Sequence, residues 1–421
     1  MDRACSQPGR LYLGIVTLLV LGPFLITGCG RVDRSTTIAI WEQMDPVERA
    51  LLDTNLIRFV EQNPQYAHFQ FDRVHYRPDD IHIQFQTAAM AYSGPNLVYG
   101  PSDKVGPYTI MGLIEPLDEF LPETVLGRFD PASLPTLEGH VWGLPDQIGN
   151  HLTLVANRAY VDSIPSDTET WLAQLHELTV DEDGNGHPEI YGLVFNFIEP
   201  FWLAPWLGGY GGWVMDEAGN PTLDSEAMAS AIEFLQRLKE SGVIPRECTY
   251  PVADTLFKEG KAAYIINGPW SWSDYREAGI EIVITPLPMV TETGLWPSPM
   301  TSPKCYSVNR YHDPATTECT RALLDFLTST EAQVELALAA GVQPTDLAAR
   351  AHPAVLADAT LIASQRQIEK GRQMPIVAEM RAIWDAMRPP YQSALNGRLT
   401  SVEAARQMQE RAERTIREMK E

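Results

Sequence analysis

The sequence predicts an α/β protein of two or more lobes, and three observations carry that prediction. Its 421 residues leave room for two or three folding units at about 150 residues each. A hydrophobic fraction of 44% beside 21% charged residues describes a folding globule and excludes a disordered or fibrous main state. Short runs rich in β-branched residues alternate with stretches of helical apolar spacing, as in a mainly parallel sheet covered by helices.

Thr36-Thr37-Ile38-Ala39-Ile40-Trp41 reads as the first buried strand, because β-branched residues dominate it. Leu51, Leu52, Leu56, Phe59 and Val60 then recur at helical spacing over Pro46–Gln62. A strand at 69–76, a helix at 79–91 and a short strand at 96–99 complete the first block, followed by a Gly/Pro-containing loop at 100–106. A second block repeats the alternation: strand 152–157, helix 170–178, strand 191–197, a long helix 225–241, and strands 262–266 and 280–287. In that long helix Ala231, Phe234, Leu235 and Leu238 share one face. A strand at 306–308 and a helix at 317–327 precede a nearly all-helical stretch, 361–421. Ligands of parallel sheets bind beyond the carboxyl ends of strands, which points to residues 41–43, with Trp41 the large side chain, and to 100–104.

Acidic side chains number 55 against 32 basic ones, a net charge of −23. A chain this acidic repels phosphate backbones, which argues against nucleic acid as a partner. Only one segment is apolar enough to meet a membrane: residues 11–26, preceded by Arg3 and Arg10 and interrupted by Gly14, Gly22 and Pro23. It is shorter than the ~18–20 residues a span needs, so a multi-span transporter is excluded and a secretory leader is expected. Leu25-Ile26-Thr27-Gly28 leads into Cys29, which resembles the lipobox of bacterial lipoproteins. That resemblance implies removal of residues 1–28, acylation of Cys29, a short tether over 29–35, and a soluble body held outside the cytoplasm by a lipid anchor alone. The plainer alternative is an ordinary signal peptide with an incidental cysteine. Beyond the leader lie Cys248, Cys305 and Cys319, an odd number that allows one internal disulfide at most. Cys305 and Cys319 are the nearer pair, and free buried thiols are the alternative. No Cys/His pattern has zinc spacing.

Four further segments carry a second resemblance. They are Phe195-Asn196-Phe197-Ile198-Glu199-Pro200-Phe201-Trp202; Tyr250-Pro251 leading to Phe257-Lys258-Glu259-Gly260-Lys261-Ala262-Ala263; Ile266-Asn267-Gly268-Pro269-Trp270-Ser271-Trp272; and Met374-Pro375 followed by Met380 and Trp384. In this order, from about Ile38 to the C-terminus, the chain resembles the extracellular solute-binding proteins of ABC sugar importers, of the maltose/maltodextrin-binding kind. The resemblance implies a two-lobe periplasmic-binding-protein fold, type II-like, with a ligand cleft between lobes joined by several crossing segments. One lobe would take 36–148 plus 304–351 and the other 149–303 plus 352–421. It also implies a sugar ligand, the transmembrane subunits of a permease as partner, a monomer, no catalysis and no cofactor. Another disaccharide or a polyol phosphate stays open as the ligand, and a sensor in place of a permease as the partner.

A sugar stacks its C–H faces on aromatic rings and presents hydroxyls that need directed partners. By the resemblance Trp270 and Trp384 are stacking platforms, Tyr250 stacks and donates its hydroxyl, and Phe201 stacks where the best-known relatives have Tyr. Glu199, between Ile198 and Pro200, and the Asp103–Lys104 pair would bind hydroxyls. Gln147 and Asn150 flank the first crossing between lobes and come within reach of the cleft. For each aromatic the plain alternative is core packing, and for the acids a solvated surface position. The family's platform before the Asp103–Lys104 pair is missing, since Gly100, Pro101 and Ser102 stand there, which leaves Tyr76 and Arg77 as nearby substitutes. Asp181, Asp183 and Asn185, with Glu189 further on, are spaced like the start of a calcium loop and would hold a structural Ca2+. The twelfth position is Gly192, however, and a tight Asp/Gly turn is the alternative. A glycosidase would need two carboxylates flanking one bond. Glu199 and Asp103 are the only pair in view, and the resemblance sets them on opposite lobes. No Gly-x-Ser-x-Gly, His-Glu-x-x-His or phosphate-loop motif is present.

Overall fold

In the computed structural model the described residues are 33–420; the leader, Cys29 and most of the tether lie outside them. Among the described residues no helix is long and apolar enough to cross a membrane. Two lobes form around two sheets. In the first sheet Thr37–Glu42 pairs in parallel with Gln70–His75 on one side and Leu97–Pro101 on the other. Met300–Val308 runs antiparallel to Leu97–Pro101 and to Leu144–Gly149, and its first two residues pair with Arg372–Gln373. In the second sheet the order is Ile282–Thr285, Thr153–Asn157, Ala262–Asn267, Tyr191–Val194.

The expected mainly parallel sheet holds only for the first block. In the second sheet only Tyr191–Val194 with Ala262–Asn267 is parallel; the other two pairings are antiparallel. Connectivity supplies the reason. Strands of βα units run out toward the cleft, whereas a strand entered from the other lobe starts at the cleft and runs inward. Thr153–Asn157 follows Leu144–Gly149 across the lobes after three residues, and Met300–Val308 returns by the same route, so the first opposes both its neighbours and the second opposes Leu97–Pro101 and Leu144–Gly149. Met300–Val308 also begins six residues before the expected start at 306, because its first turn of chain belongs to the crossing.

The sheets carry separate apolar cores. Phe59, Tyr99 and Phe129 centre one cluster of the first lobe, and Phe85, Tyr108 and Trp142 a second. Trp171, Trp206, Tyr264 and Tyr275 are fully buried in the second lobe. A third crossing is anchored at both ends by Gln343: its carbonyl accepts the Ile148 N–H at 2.8 Å, and its side-chain amide donates to Leu361 O. Leu361 lies on helix Ala359–Ile368, which packs on the second sheet.

Local signals explain most elements. Helix Pro46–Gln62 opens with Pro at its start and with Glu48 reaching back to the Asp45 N–H at 2.9 Å. Its buried Leu52, Leu56 and Phe59 are the expected face. Helix Thr330–Ala340 escaped the sequence reading because its buried face includes Gln333, whose carbonyl accepts the Thr345 and Asp346 N–H groups at 2.7 and 2.9 Å. The strand expected over 191–197 ends at Val194, and Pro200 starts a helix, Pro200–Gly209, that the sequence reading does not include. Cys248, Cys305 and Cys319 are buried free thiols.

Candidate functional site

A cleft of about 980 Å³ opens between the lobes. Its second-lobe wall is an arc of aromatic rings. Strand Ala262–Asn267 ends at Gly268, and the turn Pro269–Ser271 presents Trp270 before helix Trp272–Glu277 begins. The Trp270 Nε1–H donates to the Tyr250 hydroxyl at 3.1 Å, and Tyr250 is the first residue of helix Tyr250–Lys258. The Trp202 ring lies 6.1 Å from Tyr250, and Phe201 lies 5.5 Å from Trp202 and 6.2 Å from Trp384. Trp202 Nε1–H is satisfied by Ile266 O at 2.9 Å, so that ring is fixed as it enters the wall. All five aromatic residues line the cleft.

The polar groups of this wall are set by helix Glu379–Leu395. Tyr391 donates its hydroxyl to Phe197 O, and the Gln392 amide donates to Ile198 O at 3.2 Å, which pins the loop before Glu199. Glu199 stands at the N-cap position of Pro200–Gly209 but makes no capping bond. Its carboxylate instead accepts from Arg388, Nη2 at 2.7 Å and Nε at 3.2 Å. Arg388 was not singled out from the sequence. The signal was available, because it follows Trp384 by four residues and so shares its helix face.

The first-lobe wall is polar. Asp103 and Lys104 form an ion pair at 2.8 Å in the turn Ser102–Lys104 and line the cleft. Gln43, His82 and Gln86 join them. The last two lie one turn apart on helix Pro78–Met90 and were also missed. Burial, with the Lys104 and Arg381 charges adding to it, pushes the His82 imidazole below its ordinary range. Asn150 lines the cleft from the crossing segment, with φ of +54°, a left-handed conformation that Asn tolerates better than most residues.

Three expected residues are elsewhere. Gln147 is 2% exposed, and its amide donates to Glu48 Oε1 at 2.7 Å and to the Tyr99 hydroxyl at 2.9 Å. It satisfies a buried carboxylate inside the first lobe in place of reaching the cleft. Trp41 packs against Tyr76 with ring centroids 5.0 Å apart and joins a first-lobe core cluster; the neighbouring Gln43 takes the cleft position. Arg77, the other proposed substitute, pairs with Asp80 at 2.8 Å and is absent from the cleft lining.

In the 181–189 loop Asp181 and Asp183 converge on one backbone N–H, that of Asn185. Asp181 carboxylate oxygens accept the Asn185 and Gly186 N–H groups at 3.2 and 2.9 Å, Asp183 accepts the Asn185 N–H at 3.0 Å, and Glu189 accepts the Glu182 N–H at 2.9 Å. Among the described residues no group of three or more His, Cys, Asp or Glu is placed to hold one metal ion. These hydrogen bonds are those of a tight Asp/Gly turn, and the calcium expectation rests on the spacing of Asp181, Asp183, Asn185 and Glu189 alone.

Comparison with known proteins gives a consistent picture. A family model for bacterial extracellular solute-binding proteins matches residues 58–363. The maltotriose-binding protein of Pyrococcus abyssi is 24% identical over 361 residues, covering 84% of this chain and 76% of its own. A maltooligosaccharide ABC transporter solute-binding lipoprotein of Streptococcus pneumoniae is 22% identical over 322 residues, 74% of each chain. The solved structure of the maltose/maltodextrin-binding domain of Bdellovibrio bacteriovorus, bound to maltotriose, superposes with a TM-score of 0.82 at 39% identity, over 90% of this chain and 100% of that one. On its fold, its cleft and the length of the family match, the chain belongs to the bacterial extracellular solute-binding proteins.

Proposed function

We propose that this chain captures a malto-oligosaccharide in its cleft and delivers it to the transmembrane subunits of an ABC importer. The observation that supports this most is the composition of the cleft, an aromatic arc facing a polar wall, which matches the two kinds of surface a sugar presents. Trp270, Tyr250, Phe201 and Trp384 stack the pyranose faces; Glu199, with Arg388, binds hydroxyls from the same side. Asp103, Lys104 and Asn150 bind them from the other. The lobes are 36–148 plus 304–351 and 149–303 plus 352–421. A sugar that touches both lobes only when they close shifts the population toward the closed form, and the permease reads that form. The body is exported, acts as a monomer, and is held by acylated Cys29. It acts as a binder and not as a glycosidase: maltotriose incubated with the protein is expected to release no new reducing ends, and their appearance would overturn this part of the reading.

Calorimetric titration of the full chain, in a detergent without a sugar headgroup, tests the reading. Micromolar or tighter binding of maltose or maltotriose is expected. Binding of only trehalose, sucrose or glycerol 3-phosphate moves the specificity, and binding of none removes the sugar assignment.

A further inference from the structure

We infer that Gly268 is a positioning residue for the Trp270 platform, and that its missing side chain is what lets the indole lie where the cleft needs it. This inference rests on the sugar-binding reading of the cleft. A Cβ built on Gly268 would stand 2.5 Å from Trp270 Cε3 and closer still to Cζ3 and Cη2, well inside van der Waals contact. The indole therefore lies directly on the Gly268 backbone.

Backbone freedom is not the reason for glycine here. Gly268 has φ −110° and ψ 179°, an extended conformation open to any residue. Nor can the backbone draw back. Its N–H donates to Asn267 Oδ1 at 2.9 Å, and its carbonyl accepts both the Ser271 N–H at 3.1 Å and the Ser271 hydroxyl at 2.8 Å. Asn267 is held in turn by its amide on the Tyr275 hydroxyl at 2.6 Å. With the backbone tied at both polar groups, an added methyl must be accommodated by the ring. Moving the ring also breaks the Nε1–H bond to Tyr250 that fixes its edge. The pair Gly268 and Trp270 thus sets the plane of the platform, and Tyr250 sets its rotation within that plane.

Two measurements on the full chain test this. In the chain labelled with 5-fluorotryptophan, the Trp270 fluorine signal is identified by its loss in Trp270→Ala. Gly268→Ala is expected to move that signal without any sugar present, and an unmoved signal overturns the inference whatever the ligand is. In maltotriose titrations, Gly268→Ala is expected to weaken binding about ten-fold when Trp270 is present, the scale of a lost aromatic stack. In the Trp270→Ala background the same change should cost less than about two-fold, because coupled residues are non-additive. Equal losses in both backgrounds overturn the role of Gly268 alone, whereas wild-type protein that ignores maltotriose overturns the sugar reading. Should Gly268→Ala fail to fold, recovery in Gly268→Ala/Trp270→Ala supports the steric account, and no recovery overturns it.

Discussion

Replacing Lys304 by Met should destabilise the first lobe through a carboxylate it never touches water to solvate. Glu48 is 3% exposed. Its oxygens accept four hydrogen bonds: Lys304 Nζ at 2.8 and 3.0 Å, the Gln147 amide at 2.7 Å and the Asp45 N–H at 2.9 Å. The substitution removes two of these and the cation, and leaves the Asp146 carboxyl near Glu48 across the Tyr99 hydroxyl, which bonds Asp146 at 2.9 Å. Breaking one side of a buried pair costs about 3–5 kcal/mol. The Lys304 side chain is 23% exposed, so water relieves part of the loss and about 3 kcal/mol is expected at pH 7, out of a total stability on the order of 5–15 kcal/mol. Burial raises the Glu48 pKa, but the Lys304 charge and the hydrogen bonds from Lys304, Gln147 and Asp45 outweigh it and hold the group below its ordinary range. In the wild type this contribution is present above the ordinary carboxylate range and lost as pH falls through the lowered value. In the variant burial and the neighbouring Asp45 and Asp146 carboxyls oppose the remaining neutral donors, the sign reverses, and the deficit should shrink as pH falls toward 5. Urea unfolding of both proteins at pH 7 and pH 5 measures this, with Glu48→Gln in the Lys304→Met background expected to recover much of the loss. A deficit under about 1 kcal/mol at pH 7, the scale of a surface pair, would refute the argument, as would a deficit that pH does not change.

Arg388→Gln removes the bidentate grip on Glu199 and should weaken maltotriose binding roughly ten-fold in calorimetry, with Arg388→Lys restoring little because the fork is lost; unchanged affinity would detach that pair from the sugar site. Burial pushes the His151 imidazole down to about 3, so its stabilising contribution is present above the ordinary value of 6.5 and lost as pH falls from there toward 3. Thermal unfolding midpoints should drop over that window, and the drop should flatten in His151→Gln. Burial raises the thiols of Cys248 and Cys319 to about 12, and that of Cys305 further. Native protein should therefore leave Ellman's reagent unreacted at pH 8, with three thiols of the body appearing on unfolding; only one would indicate a disulfide.

Much of the fold was legible because its signals are local. Helix Pro46–Gln62 is legible at both ends from Pro46 and one apolar face, whereas Trp270 stands out through the family resemblance of the 266–272 motif. What stayed hidden was set by distant partners. Gln147 reads as a polar residue near a crossing, and only the fold reveals that a buried Glu48 claims it. Gln333 disguised a whole helix for a similar reason. Strand direction in the second sheet depends on which side the chain enters, a property of connectivity with no residue signature. Arg388 lies within helical spacing of Trp384, but its role depends on Glu199, nearly two hundred residues away in sequence.

The position of Met300–Val308 bears on how such a chain can be made. This strand joins Leu97–Pro101 to Leu144–Gly149, yet nearly two hundred residues separate it from the first of them. The first lobe therefore cannot close its sheet until the whole second sheet has been synthesised. A nascent chain emerging from the ribosome carries unpaired strand edges for most of its length, which exposes it to aggregation but also keeps it threadable. For an exported protein that delay is useful: a secretion channel admits an extended chain, and here the strand that locks the sheet of the amino-terminal lobe arrives only once some 300 of the 421 residues have been made.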